Sequence, residues 1–156
     1  MLNIKIIALG KLKESYWKEA ETEYLKRLHP YAKVEIIELP EEPFRDTDDR
    51  EKIKKIEAEK IKKHLKEGAV VFALHEKGKE FTSPNFAKFL EDNSTRGETI
   101  IFVIGGPLGL HESILNLATQ QVSLSEFTFP HQMVRTILLE QLYRATTILK
   151  ERKYHY

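Results

Sequence analysis

The stretch TIIFVIGGPLGLHE, residues 99–112, carries the first chemical signal. A run of apolar and β-branched residues ends in Gly105, Gly106, Pro107 and Gly109, then hands over to a helix-like start. Glycines at such a junction let backbone approach a ligand closely; the alternative is a tight turn that only ends a strand. The spacing is not the dinucleotide pattern G-x-G-x-x-G, and no Lys-Ser/Thr pair follows to complete a phosphate loop. Ligands of open α/β sheets sit beyond the carboxyl ends of the strands. Two other strand ends can point the same way, at Leu74–His75 and in LSEFTFPH (124–131), so three converging loops would make a pocket. Other chemistries fit less well. The six histidines, at 29, 64, 75, 111, 131 and 155, form no i,i+4 pair, and the chain has no cysteine. That argues against a helical zinc site and removes thiolate ligands and nucleophiles. No serine stands in a nucleophile-elbow context.

The elements that must position these loops follow from periodicity. LNIKIIAL (2–9) predicts a first strand, and the spacing of Trp17, Ala20, Tyr24, Leu25 and Leu28 predicts a helix over 14–28. KVEIIEL (33–39) predicts a second strand, and the polar, two-proline segment 40–52 a loop. A charged helix is expected over 48–66, with Ile53, Ile56, Ile61 and Leu65 as its apolar stripe and a solvated charged face. AVVFALH (69–75) and TIIFVI (99–104) read as strands covered on both faces. Between them Ser83 is expected to cap a helix with Pro84 at its first position, running through Leu90. A short helix over 111–118, a brief strand over 121–125 and a final helix from Pro130 to about Lys150 complete the pattern. Strands alternating with helices predict a mainly parallel α/β sheet. The final helix is apolar around well over half its circumference, which points to deep burial or to a subunit interface, and hence to a homodimer.

The 156 residues suffice for one compact domain, and 41% hydrophobic with 31% charged residues is a globular balance. No apolar run approaches the roughly 20 residues of a membrane helix. The start, MLNIKIIALGK, reads as a strand rather than a signal peptide, because Lys5 interrupts it and no small-residue cleavage site follows. These features favour a cytoplasmic protein. Net charge is +1, so no global field announces nucleic acid, but five bases against two acids leave +3 on residues 131–156, ending in KYHY.

Three motifs in order, IGGPLGL (104–110), SLSEFTFPHQMVR (123–135) and LLEQLYRATTILKERKYHY (138–156), resemble the SPOUT-class methyltransferases that act on large-subunit ribosomal RNA. The resemblance covers essentially the whole chain. It implies an α/β fold, a mainly parallel sheet flanked by helices, with a C-terminal trefoil knot that composition and periodicity do not show. It further implies a single domain over 1–156, S-adenosyl-L-methionine (SAM) as cofactor, and a homodimer with no metal and no membrane partner. The substrate implied is N3 of a pseudouridine in a stem-loop of 23S rRNA, within the assembled ribosome (70S or large subunit). By position, the cofactor residues are Leu74, Gly105, Leu124, Ser125, Glu126, Phe127, Thr128 and Phe129. Apolar walls with a few polar groups suit an adenosyl group, and Gly105 would leave room for it.

The N3–H of pseudouridine is neutral at pH 7, so methylation there needs a base, best supplied by histidine. His155, beside Tyr154 in the basic tail, is the first candidate, and His131, just after the cofactor loop, the second. Arg135 and Arg144 are expected to orient phosphate or base, or else to pair with Glu140 on their own helix. Arg144, Arg152, Lys153 and Tyr156 are the RNA-binding candidates. Tyr156 stands where the family tends to have arginine, so the charge that would grip a phosphate there falls to Arg152 or Lys153. Two other readings stay open: an enzyme of the same class acting on another RNA position, and a catalytically silent ribosome-binding factor.

Overall fold

The computed structural model describes residues 1–94 and 97–156. Five strands form one sheet: β1 (Leu2–Leu9), β2 (Ala32–Leu39), β3 (Val70–Glu80), β4 (Ile100–Ile104) and β5 (Gln120–Ser123). Their order is β2-β1-β4-β3-β5 and every pairing is parallel. The helices are α1 (Ser15–Leu28), α2 (Arg50–Lys62), α3 (Ser83–Ser94), α4 (Glu112–Leu117) and α5 (His131–Leu149).

Alternate residues of each inner strand face opposite cores. Ile4, Ile6, Phe72, Phe102 and Ile104 pack with α1, α3 and α5; Ile7, Leu9, Val71, Ala73, Ile101 and Val103 pack with α2 and α4. Helices on both faces explain why β4 and the first half of β3 read as unbroken apolar runs. All five residues of β4 are buried. Parallel strands also put every carboxyl end on one edge, which is where the candidate loops meet.

Local chemistry moves several boundaries. Helix α2 starts at Arg50, because the Asp49 carboxylate accepts from the amides of Glu51 (3.0 Å) and Lys52 (3.4 Å). Ser83 does not cap α3. The amide of Asn85 donates to Thr82 Oγ1 (3.3 Å), while the Ser83 hydroxyl bonds Gln141 on α5 (2.8 Å). Strand β3 runs five residues beyond His75. Both Leu74 and Lys79 pair with Val122, so the register shifts between them and residues 75–78 bulge out of the β3–β5 ladder. Gly78 makes this possible: a Cβ there would lie 2.7 Å from backbone atoms of Gln121 and Val122. Gly78→Ala is therefore expected to cost about 3 kcal/mol of stability, read as a lowered urea midpoint.

Helix α5 corrects a larger expectation. None of its residues from His131 to Leu149 is exposed, because α1 and α3 flank it in the same chain. Its apolar circumference is met at home, and so does not by itself call for a second subunit. On the other sheet face Glu57 is buried (3% exposed), with one oxygen accepting from the Glu42 amide (3.1 Å). Burial pushes its carboxyl above the usual carboxylate range. A raised folded pKa favours the protonated form, so its contribution to stability is present at low pH and falls as pH rises through that pKa. Glu57→Gln keeps an acceptor without the charge. It is expected to melt higher at neutral pH, with the difference shrinking on acidification.

Candidate functional site

A cleft of about 170 Å³ opens at the carboxyl edge of the sheet, between the ends of β3, β4 and β5. The β3 end supplies Leu74, His75 and Glu76, the β4 end Ile104, Gly105, Gly106 and Gly109, and the β5–α5 connection Leu124, Ser125, Phe127, Thr128 and Phe129. Val122, Ser123, Val134 and His131 complete the lining. Seven of the eight expected cofactor residues thus meet in one place; Glu126 is exposed and does not line the cleft. A wider recess of about 530 Å³ adjoins it past Pro107 and Leu108, reaching Lys54 at the cleft end of α2.

The glycines act through the turn they build. Gly109 donates its amide to the Gly106 carbonyl (3.0 Å) across Pro107–Leu108, and Gly109 has φ +79°. Gly105 has no positive φ. A Cβ there would lie 2.9 Å from the Gly109 carbonyl carbon and 3.1 Å from the Leu110 nitrogen. It is glycine because the turn folds back onto it, rather than only to leave space for a ligand. Across the cleft, Ser123 Oγ donates to the Ser125 carbonyl (3.0 Å) and Ser125 Oγ accepts from the Phe127 amide (3.0 Å). These bonds shape the loop and leave the Phe127 ring 81% exposed.

His131 is the one proposed proton carrier at the cleft. Its Nε2 lies 3.0 Å from Glu41 Oε1, in the polar, two-proline loop after β2. Arg135, one turn further along, does not face the cleft and is 3% exposed. Its guanidinium bonds Glu38 (2.7 Å), Glu21 (3.2 Å) and the Gly10 carbonyl (3.1 Å). The expected role in orienting phosphate or base is thus corrected: Arg135 ties α5 to α1, β2 and the β1 end. Burial, with the neighbouring Glu38 charge, raises the Glu21 pKa despite the lowering by Arg135. His75, Glu76 and Val134 were not among the named site residues; the extended β3 and the first turn of α5 bring them in. Among the described residues no group of three His, Cys, Asp or Glu side chains is placed to hold a metal, and no helix is long and apolar enough to cross a membrane.

A family described as "Predicted SPOUT methyltransferase" matches residues 2–155. The chain is 45% identical over 152 residues to "Ribosomal RNA large subunit methyltransferase H" of Caldicellulosiruptor saccharolyticus, covering 97% of this chain and 99% of that protein. The chain belongs to the SPOUT methyltransferase family. Among solved structures, a Legionella pneumophila chain described as a methyltransferase with bound SAM aligns over 92% of this chain and 66% of its own, at 12% identity and a TM-score of 0.46.

In this SPOUT methyltransferase the tail is folded, and it lies far from the cleft. Helix α5 ends in a Schellman motif: Glu151 takes φ +52°, its amide donates to Ile148 O (3.1 Å), and Arg152 donates to Thr147 O (2.8 Å). The chain then turns back along the helix. Tyr154 packs edge-on against Tyr143 (centroids 4.7 Å apart), its hydroxyl donates to Glu140 Oε1 (3.2 Å), and the Arg144 guanidinium lies 4.8 Å from its ring centre. Arg144 Nε also donates to Glu140 (3.0 Å), and His155 Nδ1 lies 3.3 Å from Arg144. Burial, with Tyr24 and Glu140 beside it, raises the Tyr154 pKa to about 12. Tyr154 therefore stays protonated near neutral pH and can donate a hydrogen bond but not take up a proton. Measured along the α5 axis, about 14 Å separate His131 at the cleft from Glu140, where the Tyr154 hydroxyl rests, and about 20 Å separate it from Arg144, beside His155.

Proposed function

We propose that this chain, a single domain over 1–156 carrying a C-terminal trefoil knot, is a SAM-dependent methyltransferase of rRNA, acting in the cytoplasm on N3 of a pseudouridine in 23S rRNA of the assembled ribosome. The observation that carries the reading is the convergence of Gly105–Gly109 and Leu124–Phe129, from the ends of β4 and β5, with Leu74–Glu76 of β3 around one cleft.

The cleft suits SAM: apolar side chains (Leu74, Val122, Leu124, Val134) surround backbone held close by Gly105. SAM, when bound, supplies an electrophilic methyl group. What the protein must add is a held base and the removal of one proton from N3. His131 stands at the cleft mouth for that step, oriented by Glu41. A homodimer that sets one subunit's tail at the other's cleft would bring both histidines and Tyr154 to one site, whereas within one chain His155 packs beside Arg144, more than three turns along α5 from His131. Arg152, Lys153 and Tyr156, all exposed, then contact the RNA, while Arg144 holds the tail in place.

Mass spectrometry of rRNA from a strain lacking the gene tests the reaction. Loss of one N3-methylated pseudouridine, restored by the gene, is expected; unchanged rRNA together with a missing tRNA methyl group would transfer the activity to another RNA. A folded protein that binds no SAM at millimolar concentration would leave only a silent ribosome-binding factor.

A further inference from the structure

The cleft, the tail and the turn glycines leave one large feature of the molecule unused. Residues 50–67 carry eight bases against four acids, a local +4. With +3 on residues 131–156, the rest of the chain holds twelve bases against eighteen acids. The positive charge of a near-neutral protein is thus gathered in two places, and only one of them is the tail.

The second place is ordered. Asp49 caps α2, and Ile53, Ala58 and Ile61 anchor its inner side in the core. Lys52, Lys55 and Lys63 stand on the outer side, at spacings of one and two helical turns, and all three are exposed. Among the described residues none of them forms an ion pair. Glu59 lies in the same row and is paired instead with Lys62 (2.9 Å). The row is about 16 Å long. At the amino-terminal end of the helix, next to Lys52 in sequence but on the side of Ala58 and Ile61, Lys54 lines the recess beside the cleft. Lys54 holds Glu51 (2.7 Å) in a pair whose acid is largely solvated, so that pair is weak and exchangeable.

We infer that the outer face of α2 is a track for the phosphate backbone of the RNA substrate, leading the strand toward the amino-terminal end of the helix, where Lys54 lines the recess beside the cleft. This rests on the rRNA reading above. It adds a contact surface on the sheet face opposite α5, independent of the C-terminal tail. Phosphate contacts of this kind fix register and orientation without reading sequence, which leaves base selection to the cleft.

Neutralising the row is the test. Lys52→Gln, Lys55→Gln and Lys63→Gln together remove three exposed charges and touch no core residue. The triple variant should bind large-subunit rRNA and assembled large subunits about tenfold or more weakly, and the slope of log K against log salt should flatten by about 2. SAM affinity and melting temperature should not move. Glu59→Lys completes the row and should do the reverse, tightening binding and steepening the slope by about 1, a gain that misfolding cannot produce. A triple variant with wild-type affinity and slope on both RNA and subunits overturns the inference alone. Weaker binding to subunits with unchanged binding to rRNA also overturns it, and assigns the face to a ribosomal protein. Wild-type protein that binds neither would overturn the rRNA reading with it.

Discussion

Gly105→Val protein is expected to bind no SAM. The substitution puts a β-branched side chain where even a Cβ would sit 2.9 Å from the Gly109 carbonyl carbon and 3.1 Å from the Leu110 nitrogen. Backbone, unlike the end of a side chain, cannot step aside cheaply, so the Gly106–Gly109 turn must open. That turn forms one wall of the cleft. The core beneath it, Val103 and Phe102 of β4, is untouched, so the variant should remain folded, with its melting temperature lowered by some degrees. Calorimetry at millimolar SAM should show no heat of binding, against clear saturation for the parent. Gly105→Ala should fall between, since one methyl group meets the same backbone with less bulk. Saturable SAM binding by Gly105→Val at the parent's affinity would remove the 105–110 turn from the donor site.

Deleting Tyr154–Tyr156 should leave SAM affinity intact and reduce methylation of ribosomes by roughly a hundredfold or more, the size expected when a positioned proton-transfer group and its neighbours are lost. Stability should fall by only about 1 kcal/mol, for the Tyr154 hydroxyl bond to Glu140 and the edge contact with Tyr143. The two defects are then complementary. If each site joins one chain's cleft to the other's tail, a mixed dimer of Gly105→Val and truncated chains holds one complete site. Mixing and re-equilibrating the two inactive proteins should restore about a quarter of the parent's activity, because half the dimers are mixed and each has one working site of two. No recovery after mixing, with exchange verified by mass, would show that the tail does not act across subunits. A protein that sediments as a stable monomer at micromolar concentration while methylating ribosomes would show the same.

The strand-and-helix alternation, the unbroken apolar runs at 70–74 and 100–104, and the three loops at strand ends were legible in the residues themselves. Period and composition are local properties, and burial on both faces leaves its mark on each strand separately. Boundaries set by a single hydrogen bond were less legible: Thr82 rather than Ser83 begins α3, and Asp49 decides where α2 starts. Three matters belonged to the tertiary structure alone. The strand expected to end at His75 continues through the polar EKGKE, because Gly78 can lie on the β5 backbone and Lys79 can pair with Val122. The apolar girth of α5 suggested an interface, yet α1 and α3 absorb it. Arg135 looked like a phosphate ligand, and instead two carboxylates and a carbonyl from three distant segments enclose it. Sequence determines what each residue can do, since charge, shape and backbone freedom travel with the residue. Which partner it meets is decided only when segments up to 125 residues apart are brought within 3 Å or so of one another, as with Arg135 and Gly10.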